Sequence, residues 1–425
     1  MNFLKKLTPF TLPLLLVACG DDDLDTSGIQ APNAYEFSSL TDPSAPSSVD
    51  YRVATTQLAL IKELEYLIGS DELQAYGQGK DRAIVIELLN RVYEGGTKTS
   101  FNKNLTEVNL YDDLSTPTPV KGIVIGDGTL TFATSSFAEN TNIKETVSLA
   151  TDEQIQDWFF NIATLATDDD NTTRFTSNGF NYQALVIGYL SVAMPFDRAS
   201  NTHLNATGLG ANNTRDNSNL SFTQLEHNWD LAFGYFGTSQ LAKTQSLDSI
   251  ITNNQNGVSR LNNYVFDVAE ATAQRDLDST LREANFSQSI INDFLNGRAI
   301  ISLDKDHASF DKQTSLIGNH ADNILYNWEK ALAATLIYHT KNTIIKRYTI
   351  DEYDFHWAMM TVYAQAIAMS PNSLLASEDI AILTANKLDA SDTNKQTNYL
   401  TTLYVAEQNI KQTYGFSESD VASWK

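Results

Sequence analysis

The sequence predicts an all-α protein of duplicated helical bundles, with a small irregular or β-hairpin excursion near residues 100–150. Three observations lead there. Apolar residues recur every three or four positions through most of the chain, as one face of a helix requires. An Asn-Trp-acid pattern, Asn228-Trp229-Asp230, returns 99 residues later as Asn327-Trp328-Glu329. Lys121 to Phe132 sets strand-forming residues on either side of a Gly126-Asp127-Gly128 turn.

The chain starts with Lys5 and Lys6, runs through a short apolar stretch from Leu7 to Ala18, and reaches Leu16-Val17-Ala18-Cys19. Twelve residues are too few to span a bilayer as a helix. A basic start, a short apolar run and a small-residue exit form a secretory signal pattern, which assigns residues 1–18 to a cleaved leader. Leu16 to Cys19 resembles the lipobox of bacterial lipoproteins, in which the cysteine becomes the first residue and carries lipid. Cys19 is the only cysteine of the 425 residues, so it makes no internal disulfide and lipidation gives it a role. The resemblance implies a bilayer partner through the Cys19 acyl anchor. With Gly20 in the place where aspartate favours inner-membrane retention, it also implies an outer-membrane address in a Gram-negative bacterium. The periplasmic and cell-surface sides both stay open.

Removing residues 1–18 takes away Lys5 and Lys6 and leaves 52 acids against 27 bases, an excess of 25 negative charges. That balance argues against nucleic acid as a partner. Residues 19–50 are rich in Asp, Ser, Pro, Thr and Ala and read as a flexible acidic tether. Two bundles follow, over 51–257 with long loops and over 258–425. In the first, Leu58, Ile61, Leu64 and Leu67 share a face, as do Ile84, Leu88, Leu89 and Val92. Helix returns at Thr151, with Ile155, Trp158, Phe159 and Ile162 as its apolar positions, and Phe180 to Met194 reads as a buried helix. The remainder predicts helices over 222–242, 258–276, 279–296, 314–345, 351–369, 373–388, 395–412 and 417–424, with breaks at Gly297 and Pro371.

On the helix around Trp229, His227 and Asp230 lie three apart and Glu226 and Asp230 four apart, so all three share one side. Imidazole and carboxylate at that spacing can reach one metal ion, and helical bundles house such sites. Glu329 and His356 are candidates to complete a mixed nitrogen and oxygen set for a divalent or ferric ion. The competing reading is a helix-end histidine bonded to a neighbouring carboxylate within a packing motif. His356, beside Met359 and Met360, equally fits a core stripe, and His339 can cap or pack. Asp168-Asp169-Asp170-Asn171 lacks the alternating donors and final glutamate of a calcium loop. No His-Glu-x-x-His helix or Gly-x-Ser-x-Gly elbow occurs in the sequence, so no catalytic residue is named.

Several stretches resemble one bacterial family of uncharacterised lipoproteins, DUF4856, which is similar to the imelysin-like iron-regulated proteins. They are Tyr35-Glu36-Phe37, Ser48-Val49-Asp50-Tyr51, Ala54 to Leu58, Glu226 to Gly237, Asn327 to Ala331 and, more loosely, Phe355 to Met360. The resemblance implies paired helical bundles and a link to iron uptake. It sets His227 and Asp230 in the histidine and acid places of the Gly-x-His-x-x-Glu marker, with Glu226 departing from its glycine. The expectation is an envelope protein that binds iron, another metal or a metal-bearing ligand, without catalysis. The alternatives are an adhesion or assembly module with an envelope protein partner, and a hydrolase or peptidase of unrecognised type.

Overall fold

The structure is a computed structural model. It describes residues 29–39, 44–69, 71–94, 129–133, 146–171, 176–177, 179–214, 220–244, 286–303, 315–384 and 393–424. The leader, Cys19, the Gly126 to Gly128 turn and the helix expected over 258–276 lie outside the described residues. The described fold is almost entirely α-helical.

Helix α1 (Arg52–Gly69) buries Leu58, Ile61, Leu64, Leu67 and Ile68, the stripe that its periodicity predicts. Short α2 (Asp71–Gly77) leads to α3 (Arg82–Tyr93). Asp81 caps α3 by accepting from the Ala83 N–H, and Leu88, Leu89 and Val92 point inward with Val85, whereas Ile84, expected on that face, is 41 % exposed. Strand β1 (Thr129–Ala133) pairs antiparallel with β2 (Thr146–Ala150), Thr131 opposite Ser148. The excursion thus contains a hairpin, but the partner of β1 comes after it in the chain instead of before Gly126. Strand β2 runs directly into α4 (Thr151–Ala166), which packs on α3.

A two-residue pair, β3 (Thr176–Ser177) and β4 (Phe180–Asn181), precedes the most buried run among the described residues. It passes from α5 (Tyr182–Gly188) through a π-helical turn at Tyr189–Ala193, α6 (Met194–Arg198) and a second π-helical turn at Ala199–His203. Each π-turn inserts a residue into the helical repeat and re-aims the side chains beyond it. Short α7 (Ala206–Leu209) then leads to α8 (Gln224–Phe236).

The later helices are α9 (Phe286–Ile301), α10 (Ile317–Ile345), α11 (Ile350–Met369), α12 (Ser377–Leu383), α13 (Thr393–Tyr414) and α14 (Glu418–Ser423). Helix α10 packs against α9 along its first half and against α11 along its second. Pro371 follows the end of α11, as expected. Gly297 is a correction: it lies inside α9 instead of breaking it. A Cβ there would come within 2.2 Å of Trp229 Cζ2, so the glycine makes room for the indole. Gly234 serves the same end between α8 and α1, where a Cβ would meet Tyr51 Cβ at 2.7 Å.

One hydrophobic cluster runs through both halves of the chain, from Tyr35 and Leu58 to Trp357 and Trp424. Helix α11 packs against α5 and the first π-turn, joining residues on either side of the boundary expected at 257. Part of the stretch read as tether also belongs to this body. Tyr35, Phe37 and Ser48 are buried, and Tyr35 stacks on Phe233 at 3.7 Å. Composition missed this because Ser, Pro and Ala surround the few residues that anchor the segment.

Candidate functional site

Helix α8 starts with a reciprocal cap. The Thr223 hydroxyl accepts from the Glu226 N–H at 3.2 Å, and Glu226 Oε2 accepts from the Thr223 N–H at 2.8 Å. This fixes the first turn and aims Glu226 and Asp230 inward, at 2 % and 0 % exposure. Two buried carboxylates need a cation, and Arg298 of α9 supplies it. Its Nε donates to Asp230 Oδ1 at 2.8 Å and its Nη1 to Glu226 Oε1 at 3.0 Å. Nη1 also donates to Ser302 Oγ, and Nη2 to Ser48 Oγ at 2.9 Å and the Ser48 carbonyl at 3.4 Å. These five acceptors match the five N–H donors of a guanidinium, so none is left for a ligand.

Asp230 takes two further donors, the Tyr35 hydroxyl at 2.8 Å and the Asp50 N–H at 3.1 Å. Burial pushes its carboxyl upward while Arg298 opposes the shift. Every partner of the group is a donor, an arrangement that fits the ionised acid. Burial also works against the charge on Arg298, but Asp230 and Glu226 outweigh it and hold the guanidinium above the usual arginine range. The arrangement is a charged clamp joining the N-terminal segment, α8 and α9.

His227 sits at the edge of this clamp, half-buried and stacked on Phe222 at 4.7 Å. Its Nδ1 lies 3.0 Å from the Asp50 carbonyl oxygen. A carbonyl only accepts, so Nδ1 carries a proton and donates it there.

Glu329 has different surroundings. Its Oε1 accepts from the Leu374 N–H at 2.8 Å and the Tyr414 hydroxyl at 2.7 Å. Burial pushes its carboxyl above the usual range, and these hydrogen bonds only partly offset that. His356 lies elsewhere again, on α11 facing α10. Its Nδ1 is 3.0 Å from His339 Nδ1, and His339 stacks on Tyr363 at 5.5 Å. Burial lowers both imidazoles, His356 to about 4, so both are neutral at pH 7. Glu352, one turn before His356, is bonded to Lys346 at 2.9 Å.

The structure therefore joins Glu226 to Asp230, sets His227 beside them, and gives Glu329 and His356 other partners. Among the described residues, no group of three or more His, Cys, Asp or Glu is placed to hold a metal ion. Asp168 accepts from the Asp170 N–H at 3.0 Å in an exposed turn. His203, at the second π-turn, is also buried, and burial with nearby Arg198 lowers it to about 3.

Sequence reasoning missed Arg298, Ser48, Tyr35 and His339. One signal could have found the first. Glu226 and Asp230 share a face with Trp229 and Phe233 nearby, so burial of both acids requires a basic partner on another helix. Nothing in the local sequence around His339 points to His356.

A family model described as a domain of unknown function, DUF4856, matches residues 32–326. The span includes every member of the Arg298 clamp and ends before His339 and His356. No curated protein and no solved structure matches.

Proposed function

The chain belongs to the DUF4856 family, and from that premise we propose that it is a lipid-anchored envelope binding component serving uptake of a metal or a metal-bearing ligand. Cys19 carries the acyl anchor, and the outer membrane is the bilayer that holds it. The imelysin-like resemblance supports the uptake reading. Among the described residues no helix is long and apolar enough to cross a membrane.

The His339–His356 pair carries the metal part of the reading. Between two neutral imidazoles, Nδ1 atoms 3.0 Å apart share one proton as a hydrogen bond; an ion taking that proton's place, with both ring protons on Nε2, would find two nitrogens near the separation set by bonds of about 2.0–2.1 Å. Glu352 stands one turn away with an exposed side chain able to turn toward them. The remaining positions would fall to water or to atoms of an incoming chelate. Glu226 and Asp230 are a poorer choice, since moving a cation there means displacing Arg298.

The test is a cobalt(II) titration of the purified chain without a histidine tag, followed by visible absorption. One equivalent should bind, His339→Ala and His356→Ala should each abolish binding, and His227→Ala should leave it intact. Absence of a cobalt band in the parent chain refutes the metal reading.

A further inference from the structure

The turn between α10 and α11 carries the most exposed apolar side chains of the described residues. Ile345, Tyr348 and Ile350 are 60 %, 70 % and 67 % exposed within six positions. Among the described residues the other exposed apolar side chains are less exposed, and apart from the adjacent Tyr404 and Val405 on α13, at 57 % and 47 %, most stand singly along the chain, as Ile84, Phe160 and Leu241 do. The tip also holds Lys346-Arg347, the only adjacent basic pair after the leader. The Arg347 guanidinium lies over the Tyr348 ring at 4.3 Å and donates to the Ile344 carbonyl, which holds the turn in shape.

We propose that this tip inserts into the interfacial layer of a phospholipid bilayer, as a second membrane contact besides the N-terminal anchor. The proposal rests on the reading that the chain is held at a membrane. Three side chains on a convex turn offer at most a few hundred Å², well short of the about 800 Å² per partner of a stable protein interface. The same side chains suit a lipid interface, where two isoleucines bury, a tyrosine sits at headgroup depth and basic residues meet phosphate. Asp351 and Glu352 follow directly, and Glu352 pairs with Lys346, so the tip is close to neutral. In a chain of net charge −23, a near-neutral tip is repelled by anionic lipid less than the chain's average surface.

Geometry sets the consequence. Ile29 to Asn33 lie beside Asn296 of α9, near the start of α10, and the tip lies at its other end. The helical rise separates them by about 42 Å. Contact at both ends lays the body along the bilayer.

The test uses the full lipidated chain with Tyr348→Cys, labelled with nitrobenzoxadiazole on vesicles of phosphatidylethanolamine and phosphatidylglycerol. Lipidation of Cys19 leaves one thiol to label, whereas two labels per chain would show that the anchor reading itself fails. Dithionite should bleach the label roughly tenfold more slowly than in an added Ile345→Asp/Ile350→Asp background. Lipids with brominated acyl chains should quench it only in the first case. Equal bleaching in both backgrounds overturns the proposal, as does quenching in both. Slow bleaching without bromine quenching overturns it too, in favour of a protein contact.

Discussion

Asn228-Trp229-Asp230 and Asn327-Trp328-Glu329 look like copies in the sequence, and the structure uses them differently. Both tryptophans are fully buried. Trp229 donates its Nε1–H to the Phe294 carbonyl at 3.0 Å, while Trp328 packs between Phe196 and Phe236. Asn228 reaches across to the Gly208 carbonyl, and Asn327 bonds back to Asn323 of its own helix. Asp230 faces a buried guanidinium; Glu329 faces a hydroxyl and a backbone amide. The shared pattern specifies where a large ring and an acid stand on a helix. What each acid does is set by the neighbour that the fold brings.

The largest effect should come from breaking the charged member of this comparison. Arg298→Met leaves Glu226 and Asp230 buried without a counter-ion, and should cost about 3–5 kcal/mol in urea unfolding. Adding Glu226→Gln and Asp230→Asn should recover part of that loss. If Arg298→Met alone is neutral, the clamp is not a stabilising feature.

A smaller effect separates the regions by pH. His203 beside α8, and His339 and His356 between α10 and α11, are all lowered from the free value near 6.5 by burial. The neutral ring is favoured in the fold, so this stability is present above about pH 6.5 and lost as pH falls toward the folded values. For His356, with a folded value of about 4, the loss should be on the order of 2–3 kcal/mol at pH 4. A His356→Gln chain should lose correspondingly less stability between pH 6.5 and 4. An unchanged slope would place the acid sensitivity elsewhere.

The smallest effect belongs to the other acid. Glu329 is raised by burial, so its contribution is fully present below its unfolded value and is lost as pH rises through the folded one. Glu329→Gln keeps an oxygen to accept from Leu374 and Tyr414, and should change stability by less than about 1 kcal/mol at pH 7. The parent should gain relative to this variant at pH 4. A cost comparable to that of Arg298→Met would make the two echoes equivalent after all.

Much of the helical framework was legible because it follows from side-chain spacing. The face of Leu58, Ile61, Leu64 and Leu67 is inward, as is that of Ile155, Trp158, Phe159 and Ile162. Gly297 shows the limit. A glycine in a helical pattern reads as a break, and only the Trp229 ring against it explains why the helix continues. The candidate site was half legible: Glu226 and Asp230 share a face, but His227 turns to the Asp50 carbonyl and the basic partner lies 68 residues beyond Asp230.

By itself, the sequence determined the helical class and the inward faces. It also placed Glu226 and Asp230 together on α8, because a helix of 3.6 residues per turn makes i and i+4 neighbours. Tertiary structure alone decided that Arg298 neutralises those acids, that Tyr35 and Ser48 close the clamp, and that His339 meets His356. Periodicity describes one helix at a time. Burying a charge is a contract between helices, and its terms depend on which donor arrives within about 3 Å.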